Sequence, residues 1–144
     1  MTSTQHYVAN LFDAVDGLDA TAFAERFTED GTFRFGNAPA VVGRQQIKES
    51  VAGFFSTIGG LKHEIVGVWS GAWGGGAVTS VETTVTYRRK DATVTDAIPV
   101  TSTLRMRGDL IADFRVFADI SPVFAPAAGV GAGEAEATIS GRAG

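Results

Sequence analysis

The sequence contains no cysteine. This excludes disulfides, thiolate nucleophiles and cysteine metal sites, so the fold must stand on packing alone. Basic charge is also scarce, with 12 Lys and Arg against 16 Asp and Glu for a net charge of −4. A nucleic-acid binder neutralises phosphates with clustered cations. The densest basic run here, Arg88-Arg89-Lys90, is short and sits at a hairpin end, so no nucleic-acid partner is expected. No segment approaches the roughly 20 apolar residues that cross a bilayer, and the opening MTSTQHY lacks the basic and apolar regions of a secretory signal. No membrane association is therefore expected, and the expected location is the cytoplasm. The two histidines, His6 and His63, lie too far apart for HExxH or another compact zinc pattern. There is no GxSxG elbow and no GxxxxGK phosphate loop. No metal or cofactor is implied.

What remains is a chain of 144 residues with 44% hydrophobic content, enough for one domain with a real core. Val8, Leu11, Phe12 and Val15 recur at i, i+3, i+4 and i+7, the stripe of an amphipathic helix, with Ser3 or Thr4 able to cap it. After Gly17, Asp19 is suited to cap a second helix bearing Ala20, Phe23, Ala24 and Phe27. Glu29-Asp30-Gly31 reads as a turn, and Thr32 to Gly36 as a short strand. Ile47, Val51, Phe54, Phe55 and Ile58 mark a third helix, stopped by Gly59-Gly60. From there the pattern is β: residues 61–69, 77–88, 94–107 and 111–120, separated by turn signals. Helices first and a meander afterwards predict an α+β fold, a curved, mainly antiparallel sheet packed against three N-terminal helices. The domain is expected to span residues 1–124, with 125–144 a flexible Ala/Gly-rich tail in which even Gly129-Val130-Gly131-Ala132-Gly133 precedes no helix.

That order of elements is accompanied by Val15-Asp16-Gly17-Leu18-Asp19, by Phe33-Arg34-Phe35-Gly36-Asn37-Ala38-Pro39 and by Gly43-Arg44. Gly60-Leu61-Lys62-His63-Glu64-Ile65 follows, and Gly108-Asp109-Leu110-Ile111-Ala112-Asp113-Phe114-Arg115 fits a final hairpin. Together these resemble the SnoaL-like, nuclear-transport-factor-two-like superfamily over roughly residues 5 to 122. The resemblance implies a cone-shaped α+β barrel of cystatin-like type, frequently a homodimer, that encloses a small hydrophobic molecule. Its members include ketosteroid isomerases, limonene epoxide hydrolases, polyketide cyclases, scytalone dehydratase, a dehydrochlorinase and many noncatalytic binders, so fold does not decide function.

Carried over residue by residue, the resemblance is selective. The isomerase general base falls at Phe35, which cannot take a proton, and the isomerase's protonated acid falls near Thr101 or Ser102. The final aspartate of the epoxide hydrolases falls at Val116. His63 matches the catalytic histidine of scytalone dehydratase and the dehydrochlorinase, and Asp16 the aspartate that orients it in the latter. The tyrosine that scytalone dehydratase has on its first strand falls at Phe35.

By strand alternation His63 shares a face with Leu61, Ile65 and Trp69. Two readings are open: a proton-moving histidine whose tautomer Asp16 sets, or a core histidine satisfied by one hydrogen bond. Asp13 is the fallback partner in the first reading, and Asp16 simply caps a turn in the second. Phe33, Phe35 and Trp69 line a ligand pocket or fill the core, with Asn37 as an orienting hydrogen bonder and Val116 on the wall. Glu82 is either a carboxylate inside the cone or a solvated, pairing charge. Arg34, of opposite parity to Phe33 and Phe35, is expected outside. The expected activity is a cofactor-independent lyase, isomerase or cyclase using His63 and Asp16; the alternative is a noncatalytic binding or dimeric interaction module.

Overall fold

A computed structural model describes residues 1–125 of the chain. Helix α1 spans Ser3–Asp16 and α2 spans Ala20–Ala24. Strands β1 (Phe27–Phe35) and β2 (Val41–Val42) precede α3 (Arg44–Phe55). Strands β3 (Gly60–Trp73), β4 (Gly76–Arg88), β5 (Ile98–Arg107) and β6 (Leu110–Phe117) follow, then a 3-10 turn, Ser121–Phe124. The expected tail lies outside the described residues except for Ala125.

Local chemistry explains the helix ends. Thr2, one residue ahead of the expected caps, closes α1 in a reciprocal capping box with Gln5, which satisfies two orphan amides. Asp19 caps α2 through the Ala22 amide. Val8, Leu11 and Phe12 of α1 and Ile47, Val51 and Phe55 of α3 are buried, as their spacing predicts. They pack on the concave side of one open sheet of order β2-β1-β6-β5-β4-β3. Phe23, Phe27, Phe33 and Phe114 cluster beneath them, mostly edge to face at centroid separations of 5.3 to 6.4 Å. Such pairs each add roughly 0.5–1.5 kcal/mol beyond the burial of their area.

Four features depart from the sequence reading. β1 begins at Phe27, running through the expected turn, because an irregularity between Phe27 and Thr32 absorbs Glu29-Asp30-Gly31. Gly31 suits this close approach, since a Cβ would lie a tight 3.1 Å from the Ile111 carbonyl and from Phe27. The sheet is mainly antiparallel, as expected, with one parallel pair, β1 with β6. β2 was not anticipated, and β5 starts at Ile98, with Val94 contributing only an isolated bridge to Arg88. Finally, β3 carries a bulge between Ile65 and Gly67. Because side chains alternate strictly along a strand, one extra residue sends every later side chain to the opposite face.

Candidate functional site

α1 ends at Asp16, where it meets β3, the last strand of the sheet. An edge strand leaves alternate amides unpaired, and His63 is one such position. Its backbone N–H donates to Asp16 Oδ2 at 3.0 Å, while its ring Nδ1 lies 2.6 Å from Oδ1 of the same carboxylate. A carboxylate accepting the His63 backbone N–H through one oxygen takes the ring contact through the other, with Nδ1 as the donor. The imidazole side chain is 8% exposed and rests against Phe12 at a centroid distance of 4.5 Å. Asp13, the fallback, is exposed; Asp16 holds the contact.

His63 forms part of the wall of a cavity of about 240 Å³ between the helices and the sheet. Phe33, Phe35 and Val116 line it as well, together with Phe12, Phe54 and Phe114. Its few polar groups are His63, Ser50, Tyr87 and Ser102. Neither Lys, Arg, Asp nor Glu is among its lining residues. Tyr87 is 3% exposed, and burial, reinforced by the nearby Asp16 charge, pushes its phenol up to about 12. The hydroxyl therefore stays protonated at neutral pH, able to donate a hydrogen bond into an apolar space. Ser102 sits across from Val116 on the neighbouring strand and is 1% exposed.

Three expected lining residues lie elsewhere. Trp69 falls after the β3 bulge, so Val68 packs toward the core instead. The Trp69 ring lies on the outer face, folded back over Gly67, where a Cβ would come within 2.5 Å of it, and the residue is 55% exposed. Glu82 is exposed on the outer face between Gly67 and Thr101. Asn37 is exposed in the turn after β1 and borders a separate groove. Ser102, one of the two positions matched to the isomerase acid, does line the cavity, whereas Phe12, Phe54 and Tyr87 have no place among the expected pocket residues. Tyr87 was the most legible of them, because it shares strand parity with the buried Val81 and Val85.

An apolar cavity held between three helices and an open curved sheet defines a cone-shaped α+β domain. The chain belongs to the SnoaL-like domain family, whose profile matches residues 8–114. No functionally curated protein matches it in sequence. Among solved structures it is similar to a hypothetical protein of ketosteroid isomerase-like fold from Catenulispora acidiphila DSM 44928, in complex with trimethylamine. That pair shares 24% identity with a TM-score of 0.70, covering 81% of this chain and 88% of the other. A SnoaL-like polyketide cyclase candidate from Jannaschia sp. CCS1 shares 19% identity with a TM-score of 0.70, covering 85% and 92%. The epoxide hydrolase/cyclase-like enzyme SalBIII, of pyran ring formation in salinomycin, shares 20% with a TM-score of 0.66, covering 81% and 91%. At these identities the likeness is one of fold.

Proposed function

We propose that the protein is a cofactor-independent enzyme of lyase, isomerase or cyclase type acting on a small, neutral, hydrophobic molecule. The observation that carries this reading is the 2.6 Å contact of His63 with Asp16 at the wall of an apolar cavity. In it, Asp16 holds the Nδ1–H tautomer, Nε2 takes a proton from the bound molecule, and the same nitrogen returns it elsewhere on the product. Tyr87 and Ser102 offer hydroxyl donors for oxygen that gains negative charge along the way. A cavity without a cation favours neutral substrates, because a buried anion would lack a partner and face the Asp16 charge. The cyclase candidate and the epoxide hydrolase/cyclase-like enzyme among the structural relatives support the reaction class.

The test is to screen small neutral ring compounds for stabilisation of the protein, then assay the binders for turnover in wild type and His63→Gln. Proton transfer by a positioned side chain contributes about 10²–10⁴-fold, so a loss of that size with an unchanged melting temperature is expected. Turnover equal to wild type would remove His63 from the chemistry.

One observation favours a second reading, a noncatalytic binder. Asp16 also holds the His63 backbone amide, so it has a structural task in fastening α1 to an edge strand whether or not the ring moves protons. Compounds that bind and are recovered unchanged under all conditions would favour that reading. The expected homodimer belongs to either version: the outer faces of β4 and β5, with Thr84, Thr101 and Thr103 half-buried, are where a second copy would pack. Light scattering that gives the mass of one chain at micromolar concentration would overturn it.

A further inference from the structure

We propose that the outer face of the sheet carries a second ligand site, for a small oxyanion, built on Arg34 and Arg115. The two residues are partners across the parallel β1–β6 pair. Their neighbours Phe33, Phe35, Phe114 and Val116 face the internal cavity, so alternation turns both guanidinium groups outward. Like charges placed opposite each other on one sheet face repel, and the surrounding residues do not balance this pair. Asp113 Oδ2 accepts from Arg115 Nε at 2.8 Å and also from Arg105 at 3.4 Å, while its other oxygen accepts from Thr32. One carboxylate therefore serves two arginines. Arg34 is held by its Nε, which donates to the Ala38 carbonyl at 3.1 Å; among the described residues no carboxylate forms an ion pair with it. Three guanidinium groups against one carboxylate leave an excess of positive charge in a chain whose net charge is −4.

The excess borders a groove of about 300 Å³ lined by Arg34, Gly36, Asn37, Arg115 and Phe117 among others, none of them acidic. Both arginines are anchored through Nε, which leaves their terminal N–H groups for a ligand. A planar guanidinium fork matches the geometry of a carboxylate or a phosphoryl group. Asn37 adds an amide donor, and Phe117, 56% exposed, supplies an apolar flank. The ligand class is thus an oxyanion, carboxylate or phosphoryl. This groove shares only Val116 with the lining of the His63 cavity, and its test stands whether or not the proton chemistry does.

Isotope-labelled full-length protein titrated with sodium phosphate, and separately with sodium benzoate, at constant ionic strength will decide it. Saturable shifts of the Gly36, Asn37 and Phe117 amides are expected, with the His63 amide unmoved. Tighter benzoate binding assigns the site to organic carboxylates, and tighter phosphate binding to phosphoryl groups. Arg34→Gln, which spares the Asp113 cluster, should weaken either probe about tenfold or more. Arg34→Lys should recover only part of that, because it keeps the charge and loses the fork. An absence of saturable shifts with both probes, or equal affinity in Arg34→Gln with its amide spectrum otherwise intact, overturns the proposal. So would shifts that follow self-association of the chain and not the added anion.

Discussion

The two faces of the one sheet could hardly differ more, although they are built from the same strands. Along β1 and β6 the inner residues are Phe33, Phe35, Phe114 and Val116, while the outer ones are Arg34, Asp113, Arg115 and Phe117. Along β4, Val81, Thr83, Val85 and Tyr87 are buried, whereas Ser80, Glu82, Thr84 and Thr86 are not. The inner face borders a cavity whose one basic side chain is an imidazole, backed by a carboxylate that does not itself line it. The outer face carries two of the four ion pairs among the described residues and a surplus of guanidinium groups. Charge segregated in this way makes the inside a medium in which one imidazole and one phenol dominate the electrostatics. The outside, bathed in water, can hold like charges side by side until a counterion arrives.

That contrast can be attacked most severely by moving a charge across it. Val85 is fully buried beside the cavity, opposite His63, so Val85→Asp buries a carboxylate whose one neighbouring donor, the imidazole, is already held by Asp16. The expected cost is about 4 kcal/mol or more, a large share of the roughly 5–15 kcal/mol that holds a domain together. Thr84→Asp, one residue away on the outer face, should stay within about 1 kcal/mol. Urea denaturation of the two variants measures the difference, and similar midpoints would mean that the faces are not electrically distinct.

A milder intervention keeps the shape and alters only the inner carboxylate. Asp16→Asn retains an acceptor for the His63 amide but no longer favours one ring tautomer. Turnover should fall about 10-fold or more, with KM little changed. Nitrogen NMR of the imidazole should show the Nδ1–H form dominating in wild type and a mixture in the variant. If wild type already shows the mixture, Asp16 does not set the tautomer.

The effect confined to alkaline pH concerns Tyr87. Its folded value is raised from 10.0 to about 12, so its stabilising contribution is complete below about pH 10. That contribution is lost as the pH rises toward 12, where the unfolded chain ionises first. On the order of 2 kcal/mol of alkaline destabilisation should therefore vanish in Tyr87→Phe, together with the late phenolate absorbance of wild type. Tyr7 is also raised, mainly by burial, and supplies the residual signal. A Tyr87 that ionises near 10 would show that water reaches the cavity freely.

How much of this could be read without coordinates depended on whether local rules held. The helices were legible because Val8, Leu11 and Phe12, and Ile47, Val51 and Phe55, keep a single period without interruption. The pairing of His63 with Asp16 was legible only through family resemblance, since the two are far apart in sequence and nothing local couples them. Trp69 was misplaced because alternation counted from His63 ignores the bulge after Ile65, and a bulge there has no strong composition signal. Glu82 was counted as a pocket candidate although its strand parity already set it opposite Val81 and Val85. Asn37 was drawn inward by its neighbours Phe33 and Phe35, yet the turn after β1 carries it out.

By itself, the order of residues determined the element types, the absence of cysteine chemistry and of compact zinc motifs, and which side of most strands is greasy, because these follow from short-range periodicity and composition. Only the tertiary structure decided that β1 lies parallel to β6, that the edge of β3 meets the end of α1, and that two arginines stand shoulder to shoulder outside. Those are contacts between distant segments, set by how the sheet curves and closes against its helices. No window of sequence contains the geometry that brings them together.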